Sequence, residues 1–153
     1  MPYDIRIMEV APRELAAVRE EVSDVGERIG ALLGEVWAAL KPNATPTGHN
    51  VVVYDHTWQD EGGRRWFDAR FGVEVLGDFP ANERVIATRT PGGRVATTVH
   101  WGPYSGLPAA FEAVHEWCAH NGHAVVGPAW EIYGDWSEDP SRLRTDVFLA
   151  LGD

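Results

Sequence analysis

The chain is poor in lysine, in cysteine and in long apolar runs. Lys41 is the only lysine among 153 residues, and the remaining basic residues are arginines scattered singly or in short pairs such as Arg64 and Arg65. Against 13 Lys+Arg stand 23 Asp+Glu, a formal net charge of -10. Such a field repels phosphate backbones and anionic lipid surfaces at long range, and without a basic stripe direct nucleic-acid binding is not expected. A single cysteine, Cys118, excludes an internal disulfide. The N-terminus, with Asp4, Arg6 and Glu9, lacks the apolar stretch of a signal peptide. No apolar run approaches the roughly 20 residues needed to span a bilayer. A cytoplasmic protein with no membrane partner is expected, while its oligomeric state is not encoded in any legible pattern. Neither G-x-G-x-x-G nor a Walker-type loop occurs, which leaves nucleotide binding unsupported. What the chain does have is seven tryptophans, large flat side chains that either fill a core or line a site for flat ligands.

The length suits one domain, residues 1–153, and the pattern within it is written twice. In the second half Arg84 to Arg89 and Val95 to Trp101 read as strands of a hairpin about Gly92 and Gly93. Ser105 stands as a helix N-cap with Pro108 in the first turn, and Leu107, Phe111, Val114 and Cys118 follow at helical spacing up to Asn121-Gly122. Pro128 to Tyr133 and Leu143 to Leu151 are two further strands, separated by a polar loop. The first half repeats this order: Ile5 to Val10, Leu15 to Val22, a helix opening at Asp24 with Glu27 three residues on, then Asn50 to Tyr54 and Trp66 to Val75. Ile29, Leu33, Val36 and Leu40 each lie 78 residues before Leu107, Phe111, Val114 and Cys118. The expected fold is α+β: tandem pseudo-two-fold β-α-β-β repeats, about 1–76 and 83–153, forming an antiparallel sheet with two long helices and a ligand groove at the seam. Leu76 to Asn82 is the link between repeats.

Gly48 to Tyr54 aligns with Gly127 to Tyr133, so Val52 corresponds to Glu131 and Tyr54 to Tyr133. Alternation sends Trp130 and Ile132 to one strand face and Glu131 and Tyr133 to the other. With the first set packed beneath the helices, Val52, Tyr54, Glu131 and Tyr133 are expected to look away from them. A carboxylate among aromatic rings suits a cationic ligand; a surface ion pair with Arg144 is the plainer alternative. His115, Cys118, His120 and His123 suggest zinc by type but not by geometry. His120 lies about 200° around the helix from Cys118, and Ala119 stands where a second histidine of a metalloprotease helix would be. No metal and no cofactor are expected. Ser105 lacks the G-x-S-x-G setting of a hydrolase nucleophile, and the loop with Asp135, Glu138 and Asp139 lacks calcium-site spacing.

His100-Trp101-Gly102-Pro103-Tyr104, then Gly127-Pro128-Ala129-Trp130-Glu131-Ile132-Tyr133, then Arg144-Thr145-Asp146-Val147-Phe148-Leu149 resemble the gyrase-inhibitor-like effector-binding domain, and the repeat extends the resemblance through the first half. The resemblance implies a binder of lipophilic, aromatic or cationic small molecules with Glu131 as electrostatic anchor. Tyr133, Tyr54, Val52, Trp101 and Tyr104 are the accompanying ligand-binding candidates. Many relatives carry a DNA-binding helix-turn-helix before this domain; here the domain begins near residue 4, and a stand-alone binder is expected. The alternative implied by other stand-alone relatives is a cofactor-independent hydrolase of cyclopropane-bearing alkylating agents, with Glu131 activating water and Tyr133 stabilising developing charge.

Overall fold

The computed structural model describes residues 3–152. Eight strands and two α-helices follow one another as β-β-α-β-β twice. The first set is β1 (Arg6–Val10), β2 (Glu14–Val22), α1 (Val25–Leu40), β3 (Thr47–Gln59) and β4 (Arg65–Val75); the second is β5 (Ile86–Arg89), β6 (Gly93–Trp101), α2 (Leu107–His120), β7 (Val125–Tyr133) and β8 (Arg144–Leu151). The strand pairs are antiparallel, as expected for this mixed α+β fold. Among the described residues no helix is long and apolar enough to cross a membrane.

The chain divides into two compact units, Arg13–Thr90 and the flanking segments Met1–Pro12 with Pro91–Asp153. In the first, β3, β4, β2 and β5 lie side by side with α1; in the second, β1, β6, β8 and β7 do so with α2. Each unit therefore takes its short edge strand from the other sequence repeat: β5 pairs with β2, and β1 pairs with β6. This overturns the expected hairpin between β5 and β6. The chain does not form a hairpin at Gly92-Gly93, since the strands on either side of it pair elsewhere, β5 with β2 and β6 with β1. At Gly92 the backbone lies so close to Pro12 that a Cβ would approach the proline ring to 2.7 Å, and Gly93 has φ +105, open to glycine alone at low cost. Thr90 N–H donates to the Arg13 carbonyl at 2.9 Å, and Arg13 N–H donates to Thr90 Oγ1 at 2.8 Å, so β5 is tied to β2 up to the end of its unit.

Helix α1 starts where its sequence predicts, with the Asp24 carboxylate accepting from Glu27 N–H at 3.1 Å. Helix α2 does not start at Ser105. A 3-10 turn over Tyr104–Gly106 precedes it, Gly106 is the residue before its first turn, and no side chain caps it. Pro108 lies in the first turn, where its missing N–H costs nothing. The repeated apolar stripe survives with a small rotation. Val36 and Val114, and Leu40 and Cys118, are buried at matching positions, while Leu33 and Phe111 are both half-buried. Ile29 is half-buried although its counterpart Leu107 is buried, and Leu32 and Ala110 join the buried line instead.

Candidate functional site

Alternation along β7 places Ala129, Glu131 and Tyr133 on one face, and register decides which face that is. Ala129 lies opposite Leu149, which lies opposite Ala96. Ala96 and Leu149 form a core with Val114 and Cys118 of α2. Glu131 and Tyr133 thus share the helix-covered face, the reverse of the expected orientation. The unit around α1 shows the same reversal. Val52 lies opposite Phe71, and Tyr54 opposite Ala69, which is itself opposite Glu20. Glu20 accepts from Arg28 of α1 at 2.7 Å, which identifies this as the α1 face. Alternation shows which residues share a face but not which face a helix covers. Hydrophobicity could not settle it here, because both faces of β7 are buried: Trp130 stacks on Phe148 at 5.1 Å on the face away from α2.

Glu131 is 2% exposed and Tyr133 8%. The Tyr133 hydroxyl donates to Glu131 Oε1, the geometry that an i, i+2 pair on one strand face allows. Tyr104, from the turn before α2, meets the Tyr133 ring edge-on at 5.4 Å, and burial pushes its phenol above the usual value. Tyr104 itself remains 42% exposed. Trp101 does not join this group. It lies on the other face of β6, 59% exposed, with the Arg144 guanidinium 5.8 Å from its ring centre. Arg144 faces the same way and donates to Asp146 at 2.8 Å, so the plain ion-pair alternative for Glu131 does not involve Arg144. In the other unit Val52 is fully buried, and Tyr54 is half-buried beside Phe67 with ring centres 5.3 Å apart.

The H-x-G-P-Y segment builds the floor and turn beside the pair. His100 is buried, with Nε2 at 2.9 Å from the Pro103 carbonyl and Nδ1 at 2.9 Å from the Tyr3 hydroxyl. A carbonyl only accepts, so Nε2 carries a proton and donates to Pro103. Gly106 closes over this ring; a Cβ there would lie 2.7 Å from His100 Cε1. One polar group at this face had no signal in the sequence. Thr145 of β8 lies between His100 and Tyr133 in the same row, is 0% exposed, and its Oγ1 makes no hydrogen bond. A threonine in a strand reads as an ordinary strand former.

Cys118 is on the core-facing side of α2, and burial raises its thiol pKa. His123 stacks on Trp117 at 5.4 Å, while His115 and His120 are exposed. Among the described residues no three His, Cys, Asp or Glu side chains gather as a metal site would require.

No curated protein sequence matches the chain. Among solved structures, the EcmrR C-terminal domain aligns with a TM-score of 0.84 at 20% identity, covering 99% of each chain. An EcmrR chain in a complex with DNA aligns at 0.81 and 19%, and the present chain spans 58% of it. SAV2435 bound to tetraphenylphosphonium aligns at 0.62 and 13%, covering 99% of this chain and 94% of that one. A hydrolase from Listeria innocua aligns at 0.61 and 13%, covering 99% and 93%. At such identities these likenesses are of fold. The sequence itself matches the GyrI-like small molecule binding domain over residues 3–151, nearly its whole length, and the chain belongs to that family.

Proposed function

We propose that this chain binds lipophilic aromatic cations, with the Glu131 carboxylate as charge anchor and the rings of Tyr133 and Tyr104 as apolar contacts. The observation that carries the reading is a carboxylate only 2% exposed on the helix-covered face, bonded to a tyrosine and flanked by a second ring. Burial keeps solvent from screening its charge, and ring faces favour cations. The tetraphenylphosphonium complex of SAV2435, a protein of the same fold, supports the ligand class. The net charge of -10 supports a chain that recognises cations and does not itself hold nucleic acid.

Titration of tetraphenylphosphonium into the protein, followed by calorimetry, tests this. Glu131→Gln keeps shape and hydrogen bonding while removing the charge. At an effective dielectric near 20 and a separation of about 6 Å, the lost attraction is about 2–3 kcal/mol, so cation affinity should fall roughly 30- to 150-fold. Neutral triphenylphosphine oxide should bind the two proteins alike. Equal losses for both ligands would make Glu131 a packing residue.

A second reading, hydrolysis of cyclopropane-bearing alkylating agents, draws support from the Tyr133–Glu131 hydrogen bond, which joins a potential base to a potential acid. The fold shared with a hydrolase from Listeria innocua is consistent with it. A binder leaves such a substrate intact when it is supplied in large molar excess. A hydrolase consumes it, and Glu131→Gln then slows the chemical step.

A further inference from the structure

The row His100, Thr145, Tyr133 runs across β6, β8 and β7 on the helix-covered face, and three of its polar atoms are already engaged. Both His100 nitrogens have partners, and the Tyr133 hydroxyl is given to Glu131. Thr145 Oγ1 is different: it is wholly buried and makes no hydrogen bond. A hydroxyl in that position costs free energy that an isosteric valine would not, and valine forms strands equally well. The group is therefore a standing hydrogen-bond capacity beside the carboxylate. Thr145 lies diagonal to Glu131 across the β7–β8 pair, which ordinary sheet geometry makes about 7–8 Å between Cα atoms.

Resting on the binding reading above, we infer that Thr145 is a specificity-determining residue: its hydroxyl donates to an oxygen acceptor on the bound ligand. The favoured ligand class is then a lipophilic cation with a carbonyl or similar oxygen roughly 5–8 Å from its charged centre. Glu131 recognises the charge, and Thr145 tests for the oxygen. Tyr104, 42% exposed and edge-on to Tyr133, is the solvent-facing ring of this group.

Two phosphonium ions that differ at one group provide the test. (4-Oxo-4-phenylbutyl)triphenylphosphonium carries a ketone where (4-phenylbutyl)triphenylphosphonium carries a methylene. Thr145→Val should shift the affinity ratio against the ketone by roughly three- to tenfold, the worth of one neutral hydrogen bond. Thr145→Ser, which restores a hydroxyl, should return the ratio to that of the unaltered protein. The valine variant should melt no lower than the unaltered protein when ligand-free, since it loses no hydrogen bond. Binding of both ions with an unchanged ratio in Thr145→Val overturns this inference alone. Failure of both ions to bind the unaltered protein overturns the binding reading and this inference with it.

Discussion

Asp55→Asn in the Arg13–Thr90 unit should destabilise the protein in a pH-dependent way. Arg70 is buried on the face away from α1, with its side chain 10% exposed against 14% for Asp55. Its guanidinium donates to both Asp55 oxygens at 2.8 and 2.9 Å, to Thr88 Oγ1 at 2.8 Å and to the Arg89 carbonyl at 2.6 Å. Arg19 adds a more exposed contact to Asp55 at 3.1 Å. The amide leaves one acceptor, but it turns an NH2 group toward a buried cation. Breaking a buried pair from one side typically costs 3–5 kcal/mol; partial hydration here reduces this to about 2–4 kcal/mol. In a chain of this size that lowers Tm by roughly 5–12 °C.

The pH dependence identifies charge as the cause. Burial would raise the Asp55 carboxyl, but hydrogen bonds and charge from Arg70, and then from Arg19, outweigh it and hold it below the ordinary range. A depressed folded-state pKa contributes stability above the unfolded value, about 3.9, and that stability is lost as pH falls through the folded value. The unaltered protein should therefore exceed Asp55→Asn fully at pH 7, and the gap should close in acid. Urea unfolding followed by circular dichroism, from pH 7 to about 2.5, measures the gap. A difference that stays constant across this range would mean that Asp55 acts by packing, and the ion-pair reasoning would fail. The joint change Asp55→Leu with Arg70→Met should cost less than Asp55→Asn alone, because no charge is left buried without its partner.

Gly106→Ala drives a methyl to 2.7 Å from His100 Cε1, and the overpacking should cost about 1–3 kcal/mol. Loss of the Tyr104 contact on Tyr133, visible as a change in tyrosine environment by NMR, should accompany it. Asp24→Ala removes the α1 cap, and denaturant unfolding should show a loss of about 1 kcal/mol with no effect on cation binding. A larger loss would indicate that Asp24 does more than cap.

Much of this fold was legible in the chain because its signals are local. Helical spacing located both helices within a residue or two, turn signals and the repeat placed the strands, though β3 extends over Thr47–Gln59, well beyond the expected Asn50 to Tyr54, and Asp24 with Glu27 marked the start of α1 as the structure has it. The register of 78 residues between the helices anticipated matched burial at Val36 with Val114 and at Leu40 with Cys118. At the candidate site, alternation correctly grouped Glu131 with Tyr133 and Val52 with Tyr54. Ser105 misled because its side chain suits a cap, whereas the His100–Pro103 bond and the close approach of Gly106 to His100 draw that segment into a 3-10 turn.

By itself, then, the sequence determined the elements, their order and which side chains share a face, since each follows from periodicity along a few residues. Tertiary structure alone decided that β1 pairs with β6 and β5 with β2, because the bonds that join strands are made by backbone groups common to every residue. It also decided that Glu131 and Tyr133 lie under the helix side. Both faces of β7 are buried, so the choice rests on register with β8 and β6, and the more apolar face, with Trp130 and Ile132, is the one away from α2. Thr145 shows the same division. Its residue type was plain from the start, but a hydroxyl without a partner exists only relative to the His100 and Tyr133 side chains that register sets on either side of it.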